Sequence, residues 1–310
     1  MFEPAYLKAI GSGQLRDKVV RARKRLENCG LCPRNCGVNR LEGETGFCGT
    51  ADKAAVDSAT PHFGEEDCLV GHNGSGTIFF SSCNLKCVFC QNYEISHAME
   101  GEVADTPALG KLMLGIQSIG CHNVNTVTPS HVVPQLLAAV EWAADKSLRI
   151  PWVFNCGGYE SVETLQLLDG VVDIYMPDLK FADASVAKRL LHAEDYPETA
   201  RAAIKEMHRQ VGDLEINEHG IAVRGLLVRH LVMPNGLAGT RENMRFLARE
   251  ISPDTYVNIM DQYRPRGTAL DYPEIGRATT RKEYADAVEM AREDGLTRLD
   301  TRTGFRMRFI

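Results

Sequence analysis

The 310-residue sequence lacks the features that mark membrane, secreted and nucleic-acid-binding proteins. No window approaches the roughly 20 apolar residues that a membrane-spanning helix needs. The first residues, Met-Phe-Glu-Pro, contain neither the charged nor the apolar region of a signal peptide. The net charge of −6 gives no reason to expect nucleic acid as a partner. These absences predict a cytoplasmic protein with no membrane or nucleic-acid partner.

The composition is that of an ordinary globular protein, with 44% hydrophobic and 25% charged residues. The length allows one large α/β domain and a small extension. We expect an amino-terminal extension over residues 1–73 and a main domain over residues 74–310. The ten cysteines are interpreted as metal ligands before disulfides, because we expect a reducing compartment.

Three cysteines follow a β-rich apolar run, 77–80, at intervals of four and three residues: Cys83, Cys87 and Cys90. They lie in what we call the three-cysteine loop, residues 81–92. Three thiolates are one short of a closed zinc site or a fully ligated four-iron cluster, so one metal position would stay open. A zinc site completed by His97 and three buried structural cysteines are the alternatives.

Four further cysteines lie within twenty residues, in what we call the four-cysteine segment, residues 29–48: Cys29, Cys32, Cys36 and Cys48. Gly43 and Gly46 permit tight turns between them. Four soft ligands close a tetrahedral shell, so structural zinc and an auxiliary four-iron cluster are both open, with a disulfide pair as the alternative. The remaining three cysteines stand alone and are not expected to be ligands: Cys68, Cys121 and Cys156.

Strand-like and helix-like segments alternate from residue 74 onward. The strand candidates are 76–81, 123–128, 151–155, 171–176, 225–232 and 255–260. The helix candidates are 107–119, 132–146, 161–168, 197–211, 241–251 and 281–294. Thr106 and Thr280 are the expected N-caps of two of them. A further helix, 15–26, should pack on the surface, and the basic and apolar residues of 296–310 should cover the edge or mouth of the domain.

Six β/α units predict an α/β fold with a parallel sheet, curved into a partial (β/α)6 TIM-like barrel that carries a small cysteine-rich extension. Ligands of such barrels bind at the carboxyl ends of the strands. Polar side chains there could supply the acceptors, donors and positive group that an amino-acid-bearing nucleotide needs. The candidate binding residues at these ends are Asn125, Thr128, Ser130, Asn155, Asp178, Lys180, Arg229 and Tyr263.

The spacing CxxxCxxC, with Phe89 directly before the third cysteine, resembles the radical S-adenosylmethionine (SAM) superfamily. The wording Cys-Asn-Leu-Lys-Cys-Val-Phe-Cys-Gln-Asn is most similar to the branch that contains the pyruvate formate-lyase activating enzyme. The resemblance implies a [4Fe-4S] cluster on Cys83, Cys87 and Cys90, with SAM on the open iron. It also implies a six-strand partial barrel, a 5′-deoxyadenosyl radical that abstracts hydrogen from a substrate, and a low-potential flavodoxin- or ferredoxin-like electron donor.

The resemblance also implies roles for individual residues. The segment Asp178-Leu-Lys180 is similar to one that contacts SAM in activating enzymes, and Phe89 belongs to the cofactor loop. Ser130 falls near the family's Gly-Gly-Glu segment, but this sequence has Thr-Pro-Ser-His there. Arg229 could meet the SAM carboxylate bidentately. No catalytic residue is identified.

Three functions remain open. The first is hydrogen abstraction from a substrate, which could be a glycyl radical enzyme and hence a protein. The second is modification of a peptide or small molecule, with an auxiliary cluster in the four-cysteine segment; that segment resembles a poorly characterised radical SAM subgroup. Activating enzymes with extra clusters instead place eight cysteines after the radical motif. The third is an iron–sulfur electron-transfer protein without catalysis.

Overall fold

The computed structural model describes residues 2–300. Within them, nine strands form one sheet in the order β3-β1-β2-β4-β5-β6-β8-β7, with β9 paired to β8. The strands are β1 Ala54–His62, β2 Ser75–Phe80, β3 Glu102–Ala104, β4 Val124–Val127, β5 Trp152–Cys156, β6 Ile174–Pro177, β7 Glu215–Ile216, β8 Ala222–Leu231 and β9 Tyr256–Met260.

Six of these strands run parallel and in sequence order, as β2-β4-β5-β6-β8-β9. Each corresponds to one of the six predicted strands. The outer strand β1 runs antiparallel to β2, and β3 runs antiparallel to β1. In the part of the chain that the structure describes, β2 and β9 do not pair, so the barrel is open. The predicted α/β fold, a partial six-strand barrel, is confirmed.

Ten α-helices lie in the described residues. They are α1 Ala5–Gly11, α2 Gln14–Lys24, α3 Asp67–Val70, α4 Thr106–Ser118, α5 Val133–Ala144, α6 Val162–Leu168, α7 Ala184–Leu191, α8 Tyr196–Val211, α9 Thr240–Phe246 and α10 Arg281–Glu293. The Thr280 cap is confirmed as a full capping box with Glu283. The Thr106 cap is wrong, because Asp105 accepts the Ala108 N–H and Thr106 is already helical.

Different side chains cover the outer surface of the barrel and fill its interior. Side chains alternate along each strand, so one set faces the outer helices and the other faces the barrel interior. Part of the lower interior is apolar: Cys68 and Leu69 of α3 pack there against residues from three strands, Val153, Ile174 and Leu227. The barrel is therefore filled near the amino ends of its strands.

The amino-terminal helices pack beside those same strand ends. The Tyr6 hydroxyl donates to the Ile150 carbonyl at 2.9 Å, and the Ala5 N–H donates to Asp173 Oδ1 at 2.8 Å. On α2, Leu15 and Ala22 are buried. These helices share one core with the barrel; the proposed division at residue 73 stays a prediction.

The carboxyl-terminal segment adds to the outer edge of β9. The Val257 N–H donates to the Arg298 carbonyl and the Asp300 N–H donates to the Val257 carbonyl, both at 2.9 Å. The expected cover of the barrel edge is thus seen for 298–300, whereas residues 301–310 lie outside the described residues. Among residues 2–300, no helix combines the length and the apolar character that crossing a membrane requires.

Candidate functional site

The three-cysteine loop leaves β2 at the carboxyl edge of the parallel sheet. Ser82 and Lys86 turn the loop with left-handed φ angles of 78° and 52°. Residues with side chains keep such angles only where their surroundings hold them. Here Ser82 N–H donates to the Ile95 carbonyl at 3.0 Å. The loop conformation is therefore set by the protein around it.

The three cysteines of this loop lie close enough to interact electrostatically, although among residues 2–300 no three such side chains converge on one ion as they stand. Cys83 Sγ accepts the Leu85 N–H and Cys90 Sγ accepts the Ser96 hydroxyl, both at 3.3 Å. Burial raises the pKa of Cys83 and of Cys87, and the Cys90 thiol beside each of them raises it further. Buried thiols of this kind need a cation to become thiolates. The donor set fits a soft metal or an iron–sulfur cluster.

A buried cation stands beside these sulfurs. Lys180 Nζ lies 2.6 Å from Asp178 Oδ2, directly after β6. Although burial opposes its charge, the carboxylate of Asp178 and the thiol of Cys87 raise the pKa of Lys180 above its usual range. Both predicted cofactor contacts thus lie next to the three-cysteine loop, with Lys180 positively charged.

The other strand-end residues lie at different depths. Asn125 is buried within the barrel, where its amide donates to a serine hydroxyl at 3.2 Å. The Thr128 N–H donates to the Asn155 carbonyl at 2.8 Å, which ties the ends of β4 and β5 together. The Ser130 hydroxyl donates to Glu160 Oε1 at 2.5 Å. Ser130 therefore already has a partner, and contact of any of these residues with a cofactor stays a prediction.

Phe89 and Tyr263 lie in the aromatic core behind the loop. Their rings meet edge to face with centroids 6.0 Å apart, and Phe89 meets Phe181 in the same way at 5.8 Å. The Tyr263 hydroxyl donates to the Ile275 carbonyl at 2.8 Å. The Tyr263 hydroxyl is thus already hydrogen-bonded within the protein, and a contact of Tyr263 with the cofactor stays a prediction.

Arg229 is engaged by two buried carboxylates. Its Nε and Nη2 donate to Glu66 at 2.8 and 2.7 Å, and Nη2 also contacts Glu65. Asn258 of β9 donates to the same Glu66 at 2.6 Å. Arg229 therefore takes part in an ion pair that joins the barrel to the segment before α3, and its expected contact with a SAM carboxylate stays a prediction.

The four cysteines of the amino-terminal segment line one cavity. Cys36 Sγ accepts the Phe47 N–H at 3.4 Å, and a side chain at Gly46 would bring Cβ within 2.6 Å of that sulfur. Burial raises the pKa of Cys32 to about 12. Across residues 2–300, no three His, Cys, Asp or Glu side chains converge on one ion as they stand, so a metal would draw these sulfurs inward. Four soft donors around one cavity fit such a centre.

The four-cysteine segment contacts the three-cysteine loop through Asn84. Arg34 Nε donates to the Asn84 carbonyl at 2.9 Å, and the Asn84 amide donates to the Tyr159 carbonyl at 2.7 Å. Asn84 also lines the cavity of the four cysteines and is the chain neighbour of Cys83. The two predicted metal sites therefore share one residue at the carboxyl edge of the barrel.

Three residues of this region escaped the sequence interpretation: Asn84, Glu160 and Arg40. Asn84 and Arg40 lie between predicted ligands, which is a weak signal that ordinary loop polarity also gives. Glu160 follows β5 whereas Ser130 follows β4, so the local sequence gives no signal that the two side chains meet. Its proximity to Ser130 depends on the pairing of β4 with β5.

Comparison with known proteins gives a relative that matches most of this chain. An uncharacterized protein of Methanocaldococcus jannaschii is 35% identical over 286 residues, which cover 90% of this chain and 78% of that protein. No family model matches the sequence. The crystal structure of methylornithine synthase is similar with a TM-score of 0.44 and 14% identity over 70% of this chain. The match spans 62% of that structure, less than two thirds of its length.

Proposed function

This chain belongs to the same family as the uncharacterized M. jannaschii protein, and we propose that it is a radical SAM enzyme. The observation that carries the proposal is the position of Cys83, Cys87 and Cys90. Their loop follows the first strand of an open parallel barrel, at the edge where barrel enzymes bind ligands. Cys87 is buried, Cys83 and Cys90 are half-buried and both interact electrostatically with Cys87, and three ligands leave one iron of a four-iron cluster open.

Cys83, Cys87 and Cys90 would hold the cluster. When bound, the cluster and SAM would supply reductive cleavage of the C5′–S bond, with one electron from a low-potential donor, to methionine and a 5′-deoxyadenosyl radical for hydrogen abstraction from the substrate. The chain's own residues hold and orient these groups. Lys180 places a positive charge beside the sulfurs, and Asp178 offers a carboxylate to ribose hydroxyls or to the amine. The Phe89, Phe181 and Tyr263 rings exclude water behind the loop.

The substrate class is a finer proposal. Activation of a glycyl radical enzyme is suggested by the wording of the three-cysteine loop, and the partner would then be a protein. Modification of a peptide or small molecule is suggested by the four-cysteine segment, which touches the three-cysteine loop through Asn84. Electron transfer without catalysis would not need the polar strand ends, so their presence favours an enzyme. A flavodoxin- or ferredoxin-like donor and a cytoplasmic location belong to the same proposal.

The test is anaerobic reconstitution with iron and sulfide, followed by reduction in the presence of SAM. We expect 5′-deoxyadenosine from the wild-type protein. Cys87→Ala should lose the iron of this site and lower 5′-deoxyadenosine to background, because a ligand is missing. Cys121→Ala is the matched control, since Cys121 is buried away from both cysteine groups and should retain turnover. Absence of SAM cleavage by a fully loaded wild-type cluster would contradict the proposal and favour electron transfer.

A further inference from the structure

Arg40 is a charged side chain inside the protein. It is only 1% exposed and lies within the four-cysteine segment. Its Nε and Nη2 donate to the Ala51 carbonyl at 2.9 and 2.7 Å, and its Nη1 donates to the His131 carbonyl at 2.8 Å. All three bonds go to neutral acceptors. Arg40 is therefore well hydrogen-bonded, but none of these partners carries a negative charge that would balance its own positive charge.

A buried guanidinium without a counter-charge is costly, and buried charges in proteins are normally paired or placed beside a metal centre. In the part of the chain that the structure describes, Arg40 forms no ion pair with Asp or Glu, whereas Arg229, whose side chain is 14% exposed, has two glutamates. One candidate anion beside Arg40 is sulfur, because Arg40 Nη1 lies 4.0 Å from Cys29 Sγ. The cavity lined by the four cysteines is also lined by Arg40 itself.

We propose that Cys29, Cys32, Cys36 and Cys48 bind a metal as a tetrathiolate and that Arg40 is the buried counter-charge of this centre. Four thiolates around Zn²⁺, or around a four-iron core of the same charge, leave two negative charges. Either centre supplies the anion that Arg40 lacks. A pair of disulfides would leave the guanidinium unbalanced, and so would four neutral thiols.

The same guanidinium connects the centre to the mouth of the barrel. Arg40 binds the carbonyl of His131, and His131 Nε2 lies 2.9 Å from the carbonyl of Ser81, at the start of the three-cysteine loop. Loss of the metal would therefore leave an unbalanced charge two hydrogen bonds away from that loop. The inference concerns a second centre and holds whether or not the protein cleaves SAM.

The experiment uses the full-length chain with Cys83, Cys87 and Cys90 all changed to alanine, so that only the second centre can bind metal. Iron and zinc are measured per chain after anaerobic purification, and again after loading with Zn²⁺ alone or with iron and sulfide. Arg40→Met, Arg40→Lys and Arg25→Met are compared in this background. Arg25 is the matched control, because it is half-buried in the same region and its side chain donates to the Gly30 carbonyl, away from the cysteine cavity.

We expect about one zinc or about four irons per chain in the background protein, which also decides between the two metals. Arg40→Met should weaken metal retention against a chelator roughly 10- to 100-fold, as loss of a group that supports metal ligands does. Arg40→Lys should lose less, and Arg25→Met should match the background. A background protein without metal, or equal retention by Arg40→Met and Arg25→Met, would overturn the proposal.

A second measurement covers the case in which Arg40→Met is poorly folded. Removing the metal should lower the thermal midpoint more in the protein with Arg40 than in Arg40→Met, because only the former is left with an unpaired buried charge. Arg40→Lys, which keeps the charge, should follow the protein with Arg40. Equal shifts in all three proteins would show that Arg40 does not balance the centre. None of these readouts depends on SAM cleavage, so their failure is distinct from failure of the proposed function.

Discussion

Glu160 is a buried carboxylic acid at the carboxyl edge of the barrel. Burial raises its pKa to about 8 from a usual 4.5, while hydrogen bonds from Ser130 and Cys156 oppose the shift. An acid whose pKa is higher in the folded state stabilises the fold at low pH and loses that contribution as the pH rises to about 8. Stability should therefore fall by up to about 1.4 kcal/mol per pH unit in this window.

Glu160→Gln removes this titration and keeps an oxygen for Ser130. We expect the thermal midpoint of the wild type to fall more steeply than that of Glu160→Gln between pH 6 and pH 8. Glu163→Gln, on the exposed side of α6, serves as the control and should follow the wild type. A pH dependence that is the same in Glu160→Gln and the wild type would exclude a raised pKa at Glu160.

For individual residues, the sequence identifies which side chains are candidate metal ligands better than it identifies which residues contact each other in the fold. The intervals between Cys83, Cys87 and Cys90 lie within one loop, so local spacing is enough to predict them as a group. The partner of Arg229 could not be predicted in this way, because Glu66 lies 163 positions away in the chain. Only the closed fold shows that this guanidinium is already paired.

Among the elements, the N-cap of α4 can be tested directly, because Asp105 caps this helix instead of the expected Thr106. Asp105 Oδ1 accepts the Ala108 N–H at 2.9 Å, while Thr106 is the first helical residue. Asp105→Ala should lower the free energy of unfolding by about 1 kcal/mol, the usual value of a lost N-cap. Thr106→Ala should leave it nearly unchanged. Urea denaturation of both variants checks this, and a larger loss in Thr106→Ala would restore the threonine as the cap.

The elements that could be predicted are those with long, regular patterns. Six strands with apolar runs and seven helices, α2 among them, were found, because burial on both sheet faces and amphipathic repeats leave clear signals. The short helices α1, α3 and α7 were missed. Helix α7 has an N-cap signal in Asp183, which accepts the Val186 N–H at 2.9 Å, but its eight residues give too few repeats to recognise.

For the whole molecule, Asp173 joins the amino-terminal helices to the barrel. Its two oxygens accept N–H groups from Ala5 and Trp152 at 2.8 and 2.9 Å. Burial raises the pKa of Asp173 to about 7, so the carboxylate form dominates at pH 8. Asp173→Asn turns an NH₂ group toward one of these donors and should cost roughly 1–3 kcal/mol of stability at pH 8.

Urea denaturation at pH 8 measures this loss, with Asp145→Asn on the exposed end of α5 as the control. We also expect faster hydrogen exchange in α1 in the Asp173→Asn variant, because the helix loses its tie to the barrel. Stability equal to that of the control would show that α1 is held by its apolar contacts alone, through Tyr6 and Ala9.

The apolar side chains packed near the amino ends of the barrel strands affect how small molecules would enter and leave the barrel. Among the described residues, Cys68, Leu69 and the Glu66–Arg229 pair occupy the interior on that side. We therefore expect any small molecule that reaches the three-cysteine loop to enter and leave at the carboxyl edge of the barrel. Substrate and product would then compete for the same entrance, and product inhibition would be the kinetic sign of this competition.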